Sequence, residues 1–201
     1  MKILIHLIGN NLQGTGHVYR MLRLTNRCFS SENILNKNNN NNNNILFIIN
    51  TKEDLAIKIL NKNNINYIKY TDNNELYSIL SKNKSNIIIN DCLNTSKDLI
   101  INQKKYTKKV INFEDYGSGV NEADIIINSF YNKDVINGYK IYTGLKYTLL
   151  SPLLSESEVS KFKKKPQKII LTFGGSDPSN IVLTVLKILL RNNIQKILHI
   201  L

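Results

Sequence analysis

Gly14, Gly16, His17 and Arg20 are the residues whose types and spacing most directly suggest chemistry. They lie in the run Gly14-Thr15-Gly16-His17-Val18-Tyr19-Arg20, which follows a short apolar segment and opens an amphipathic one. Two glycines let a ligand come close to the backbone. The unpaired N–H groups at a helix N-terminus, here around Gly16 to Tyr19, can bind an anion. The positive end of the helix also disfavours imidazolium at His17, and neutral imidazole is the form a general base needs. Arg20, three residues on, shares a helix face with His17, whereas Arg27 lies about two turns further along. Taken alone, the run also fits a structural glycine turn with His17 as a simple helix cap, and both readings stay open at this point.

A second run, Phe173-Gly174-Gly175-Ser176-Asp177-Pro178, repeats the pattern of apolar segment, glycines and helix start. Gly174 and Gly175 would let a phosphate reach backbone amides, and Ser176 would add a hydroxyl. Three further polar pairs follow apolar runs: Asn90-Asp91, Glu114-Asp115 and Asn128-Ser129. In a parallel sheet all three share the edge that carries His17. Asp91, Asp115 and Asn128 are therefore candidate ligand contacts, against the alternative that they form loops or cap helices. His6 lies inside an apolar run and is expected to be a packed histidine, and His199 carries no signal. Cys28 and Cys92 match no metal-ligand spacing and are expected to be reduced thiols in the interior. No metal site is expected.

These residues need elements to hold them. Apolar runs predict strands at 2–8, 45–49, 67–70, 86–90, 110–113 and 125–128. Helical spacing predicts helices at 17–30, 53–62, 74–83 and 96–106. In the first helix Val18, Met21, Leu22, Thr25 and Phe29 fall on one face and should meet the core. The strands are continuous Ile, Val and Leu runs, so both faces must be covered, which predicts a parallel sheet with helices on each side. The asparagine run 38–44 has nothing apolar to bury and is expected to be an unstructured loop. Residues 146–167 hold two of the three prolines, several serines and a lysine cluster, which predicts an interdomain linker. A new β-α-β unit is expected over 168–201, with Asp177 as N-cap, a helix to about Arg191 and a last strand from Gln195. The expected division is 1–145, 146–167 and 168–201. One strand, one helix and one strand cannot enclose a core, so the third part is expected to belong to a larger sheet.

The 201 residues carry 27 Lys and Arg against 15 Asp and Glu, a net charge of +12. The lysines are scattered, apart from Lys104-Lys105, Lys108-Lys109 and Lys163-Lys164-Lys165, and lack interleaved aromatic residues. Asn, Lys, Ile and Tyr are abundant together, as AT-rich codons would produce, and no nucleic-acid partner is expected. No apolar run is long enough for a membrane span, and the first residues do not read as a signal peptide. The expected location is cytoplasmic.

Taken together, these motifs resemble a known family. Gly14-x-Gly16-His17-x-x-Arg20, Asn90-Asp91, Phe113-Glu114-Asp115, Ala123-Asp124-Ile125-Ile126-Ile127-Asn128, Gly144-x-x-Tyr147-x-Leu149-Leu150 and Phe173-Gly174-Gly175-Ser176-Asp177-Pro178 occur in its order. The family comprises the pseudaminic-acid-pathway UDP-sugar hydrolase and the related predicted glycosyltransferase of spore-coat polysaccharide synthesis. The resemblance implies a glycosyltransferase-B-like α/β fold: a complete N-terminal Rossmann-like domain with a parallel sheet, then the first β-α-β unit of a second, nucleotide-binding domain. It implies release of UDP from a UDP-linked 2,4-diacetamido-2,4,6-trideoxyhexose, in biosynthesis of a pseudaminic- or legionaminic-type acid. His17 would activate water, with Gly14, Gly16, Arg20, Asp91, Asp115 and Asn128 around the sugar. Gly174, Gly175 and Ser176 would meet the diphosphate. It implies no cofactor. The Phe113-Glu114-Asp115-Tyr116-Gly117 form looks closer to the branch often fused to, or encoded beside, a sugar cytidylyltransferase. The family's second lobe continues beyond Leu201, so a truncated chain is expected. The alternatives are a glycosyltransferase of the same fold and an inactive fragment.

Overall fold

The computed structural model describes residues 1–10, 12–29, 44–129, 140–154, 168–173, 177, 179–192 and 197–200. Seven strands make the main sheet: β1 (Ile3–Leu7), β2 (Ile45–Asn50), β3 (Tyr67–Tyr70), β4 (Ser85–Asp91), β5 (Thr107–Phe113), β6 (Ile125–Asn128) and β7 (Lys140–Thr143). Their order is β3-β2-β1-β4-β5-β6-β7, and every neighbouring pair is parallel. The helices between them are α1 (Gly16–Phe29), α2 (Asp54–Lys62), α3 (Asn73–Lys82) and α4 (Lys97–Lys104). The result is a Rossmann-like α/β fold.

The period of two along each strand decides which helix covers which face. On β1, Ile3, Ile5 and Leu7 pack with Val18, Met21 and Leu22 of α1 and with Ala56 and Leu60 of α2. Leu4 faces the other way and joins Ile48, Ile88 and the α3 residues Leu76 and Leu80, with Leu99 of α4 against the same cluster. All five β1 residues are buried, so the Ile/Leu run, interrupted by His6, follows from its two covered faces. Each fully buried Leu or Ile contributes about 1.5–3 kcal/mol. Of the α1 residues expected to face the core, Val18, Met21, Leu22 and Thr25 are buried, and the Phe29 side chain lies outside the described part.

Local signals set the helix ends. Asp72 caps α3 by accepting from Glu75 N at 2.9 Å, and Glu75 reaches back to Thr71 N at 2.7 Å, a reciprocal capping arrangement. Ser96 caps α4 through Leu99 N at 3.2 Å.

The strand order matters most for function. The chain steps outward from β1 to β2 and β3, then returns to place β4 on the other flank of β1. Adjacent loops therefore diverge beyond the carboxyl ends of β1 and β4. That crevice is where open α/β sheets bind ligands.

One polar row crosses this centre. His6, Asn90 and Asn112 are register partners on β1, β4 and β5. Asn90 exchanges two 2.8 Å hydrogen bonds with Gln103 of α4 and donates to Asn112 at 2.9 Å. The two nitrogens of His6 contact Asn90 Oδ1 and the Tyr70 hydroxyl at 3.2 and 2.7 Å. Burial lowers the His6 pKa from 6.5 to about 4, against a smaller opposing effect of the Asn90 hydrogen bond. His6 is thus a packed residue, as its place inside an apolar run predicts.

Several boundaries differ from the sequence expectation. β7 lies between 128 and 146, where no strand is expected, because Lys140–Thr143 is short and mostly polar. It pairs with β6 from Ile125↔Lys140 to Asn128↔Thr143. Residues 145–147 and 152–154, at the start of the expected linker, form single 3-10 turns. β8 (Lys168–Leu171) and β9 (Ile197–Ile200) pair in parallel as a separate sheet, with α5 (Ile181–Arg191) between them in sequence. α5 starts later than expected. Asp177 nevertheless accepts from Ile181 N and Val182 N at 2.9 and 3.0 Å, so it still serves the helix N-terminus from four residues upstream. The asparagine run 38–43 lies outside the described residues. Among the described residues, no helix is long and apolar enough to cross a membrane.

Candidate functional site

The loop after β1 is held from both sides. Asn10 Oδ1 accepts from Leu12 N and Gln13 N at 2.9 and 3.1 Å, and Asn10 O accepts from Gly14 N at 2.8 Å. Gly14 takes a φ of +76°, where a side chain would be strained. Glu53, buried at the start of α2, accepts from Gly9 N at 2.7 Å and Asn10 Nδ2 at 2.9 Å. Gly9 packs so closely that a Cβ there would sit 2.7 Å from Val18 Cγ2 and 2.9 Å from Ala56 Cβ. The start of α1 is thereby pinned beside the end of β4. A Cβ at Gly16 would meet nothing within 4 Å, so the helix N-terminus opens onto free space.

The register of β1 on β4 pairs Leu7 with Asp91. Asp91 is fully buried and receives three donors from α1: His17 Nδ1 and Arg20 Nη2 on Oδ1, both at 2.6 Å, and Arg20 Nε on Oδ2 at 2.8 Å. Arg20 Nη2 also lies 3.1 Å from His17 Nδ1. With Nδ1 protonated toward Asp91, these are two donors sharing one acceptor oxygen. The carboxylate therefore selects the tautomer of a neutral His17, and Nε2 is the nitrogen left for the cleft. Orientation of a histidine by a buried carboxylate is the arrangement that general-base catalysis uses.

The cleft itself, about 350 Å³, is lined by Gly16, His17, Arg20 and Arg23 of α1, by Leu93, Glu114 and Ser129 at strand ends, and by Thr148, Leu149 and Leu150. Leu93 and Glu114 both have positive φ, +59° and +46°. Non-glycine residues rarely adopt this region, and such strain concentrates at functional sites. At Glu114 the left-handed turn accompanies a carboxylate whose Oε1 accepts from Ser129 N at 2.7 Å and lies 3.7 Å from Arg20 Nη1. Arg23 Nη1 donates to Leu149 O at 3.3 Å and ties the 148–150 segment to α1.

The expected site residues divide into distinct groups. His17, Gly16 and Arg20 line the cleft, and Asp91 stands directly behind them. Gly14 shapes the loop and does not line the cleft. Asp115 and Asn128 are turned into the fold. Asp115 accepts from Thr95 N, Thr95 Oγ1, Asn112 Nδ2 and Gly117 N. Asn128 Oδ1 accepts from Asp115 N at 3.2 Å, and its amide donates to Asp115 O at 3.4 Å. Gly174, Gly175 and Ser176 lie outside the described residues.

In two of the three polar pairs, the cleft is lined by the residue next to the one singled out from sequence. Glu114 faces it in place of Asp115, and Ser129 in place of Asn128. The sequence signal found each pair but not its phase: Glu114 takes a left-handed φ of +46°, and Asn128, the last residue of β6, is turned inward by its hydrogen bonds to Asp115. Arg23 carried a usable signal, lying three residues beyond Arg20 on the same helix face. Glu53, Leu93 and Thr148 carried none. The Cys92 thiol, pushed well up by burial and the neighbouring Asp91 and Asp115 charges, is poorly suited to act as a nucleophile.

No protein-family model matches the chain. It is 32% identical over 203 residues to the uncharacterized protein MJ1062 of Methanocaldococcus jannaschii, in an alignment covering 94% of this chain and 40% of that protein. The chain thus spans well under half the length of the curated relative it matches.

Proposed function

We propose that the chain carries the base-bearing part of a nucleotide-sugar hydrolase with a glycosyltransferase-B-like architecture. Its substrate in this reading is a UDP-linked 2,4-diacetamido-2,4,6-trideoxyhexose. One observation carries the reading: a histidine held by a buried carboxylate, at a helix N-terminus, in the crevice where the strand order reverses. His17 Nε2 takes a proton from water, and the oxygen attacks the anomeric carbon. The bond from that carbon to the diphosphate oxygen breaks, its electron pair leaves with UDP, and the free sugar is the product. Arg20 and the amides at the start of α1 favour negative charge nearby. A cleft near the lower end of small-molecule site volumes suits one substituted sugar ring with water as acceptor, rather than two sugars. The second lobe and the Gly174-Gly175-Ser176 turn belong to the same proposal as the holder of UDP.

The test is UDP release from the UDP-linked sugar, measured with this chain and with any longer natural protein that contains it. His17→Asn is expected to reduce the rate by roughly 10²–10⁴-fold, the range of general-base catalysis, while the melting temperature stays close to that of the parent. Unchanged turnover in His17→Asn would exclude His17 as the base.

A further inference from the structure

We propose that Glu114 and Thr148 are the specificity-determining pair of this cleft. Together they take a neutral ligand substituent carrying an N–H or O–H donor, and they reject a carboxylate. The proposal rests on reading the cleft as a sugar site, but its chemistry comes from two atoms. Among the described residues, only two buried side-chain oxygens lack a hydrogen-bond partner: Glu114 Oε2 and Thr148 Oγ1. Both residues line the cleft that holds His17.

Buried polar atoms are nearly always paired, since leaving one unpaired is costly. Two exceptions among the residues that line one cleft point to a shared occupant. Glu114 is only 2% exposed. Its Oε1 is engaged by Ser129 N, while the nearby Arg20 is already bound twice to Asp91. An ionised carboxylate only accepts, so Oε2 calls for a donor. A hydroxyl both donates and accepts, so Thr148 can serve a hydroxyl oxygen, a carbonyl or a second donor. A secondary amide or a sugar hydroxyl meets both demands. A carboxylate can accept from Thr148, but it brings no donor to Glu114 Oε2 and is repelled by it.

The two acceptors stand beside the cations of α1: Glu114 Oε1 lies 3.7 Å from Arg20 Nη1, and Thr148 precedes Leu149, whose carbonyl accepts from Arg23. The positive φ of Glu114 sits at the position that gives the carboxylate this role.

Two measurements test the pair. In the first, ligand-free Thr148→Val and Glu114→Gln are melted beside the parent. Thr148→Val removes only the unpartnered hydroxyl, and Glu114→Gln keeps the oxygen that serves Ser129. Both variants are expected to melt within about 2–4 °C of the parent, the shift of a single kcal/mol-scale change at this chain length. A larger fall in either would show that the atom holds the fold, and would overturn the proposal. In the second, N-acetylglucosamine, glucose and glucuronic acid are titrated as free sugars and followed by amide chemical shifts of residues 114, 129 and 148. The neutral sugars are expected to move these signals in the parent and glucuronic acid to leave them still. Affinity for the better neutral sugar should fall roughly 10-fold or more in Glu114→Gln and roughly 3- to 10-fold in Thr148→Val. N-acetylglucosamine and glucose separate an amide reader from a hydroxyl reader. Equal binding of glucuronic acid, unchanged affinities in both variants, or no shift with any sugar would each overturn the proposal. If sugar binding behaves as expected while UDP is never released, the hydrolase reading fails and the pair stands.

Discussion

Asp91→Asn is the sharpest test of how this site is built. The substitution keeps size and shape and removes the charge that three donors share. An amide oxygen can still accept from one side, but its NH₂ must then face either His17 Nδ1 or an Arg20 nitrogen, donor against donor. Arg20 is 16% exposed and keeps Glu114 Oε1 at 3.7 Å, so its charge is not left wholly uncompensated. Breaking a buried pair outright costs about 3–5 kcal/mol, and this remaining compensation places the expected loss near the lower bound, about 3 kcal/mol. At this chain length that corresponds to a fall in melting temperature of about 6–12 °C. The assay is thermal unfolding followed by circular dichroism, at moderate and at high salt. A buried pair is weakly screened, so the difference between parent and variant should persist in high salt. The exposed pair Lys97–Glu122, 3.3 Å apart, is the control: Lys97→Ala should shift melting by no more than about 0–4 °C, the worth of a surface pair. The functional consequence follows from tautomer choice. Without the carboxylate, His17 is free to protonate Nε2 instead of Nδ1, and UDP release should fall by roughly 10²–10⁴-fold. An Asp91→Asn protein that melts with the parent would refute the energetic reasoning, and one that retains full turnover would refute the orienting role.

Other outcomes follow from the geometry around the site. His6 makes stability depend on pH: its pKa is 6.5 in the unfolded chain and about 4 in the fold, so the unfolded chain binds more protons between those values. Stability is full above about pH 6.5 and falls by about 3 kcal/mol as pH drops to about 4, which urea unfolding across that range should show as a slope that His6→Gln flattens. Gly9→Ala places a methyl against Val18 and Ala56, and overpacking there should cost about 1–3 kcal/mol by denaturant unfolding; an unchanged midpoint would show that the loop gives way. Asp115→Ala removes the acceptor shared by Thr95 N, Thr95 Oγ1, Asn112 Nδ2 and the part-buried Gly117 N, of which Asn112 Nδ2 retains Thr95 Oγ1, and should lower stability by roughly 2 kcal/mol or more. An Asp115→Ala protein that melts like the parent and loses only sugar binding would make Asp115 a ligand contact instead.

Much of the fold was legible because its signals are local. Runs rich in Ile and Leu mark strands of the sheet interior, and the placement of β1, β2, β4 and β6 follows from them. The 3.6-residue spacing of Val18, Met21, Leu22 and Thr25 marks the buried face of α1. β7 escaped because Lys-Ile-Tyr-Thr gains its strand conformation from pairing with β6 rather than from its own pattern. α5 begins late because the backbone from Asp177 to Asn180 takes left-handed values at both ends, φ +36° and +51°, before the helix can start.

The candidate site shows the same division. By itself the sequence determined that an anion-favouring helix start with a histidine and an arginine follows the first strand, and that polar pairs close the later strands. Residue type, glycine placement and helical period are enough for that. Only the tertiary structure decided that β4 returns beside β1, which brings Asp91 from 74 positions away to within 2.6 Å of His17. It also decided that Glu114 and Ser129, rather than Asp115 and Asn128, face the cleft. Those choices depend on strand order, register and one left-handed residue. Each couples segments distant in the chain, and no local pattern encodes such a coupling.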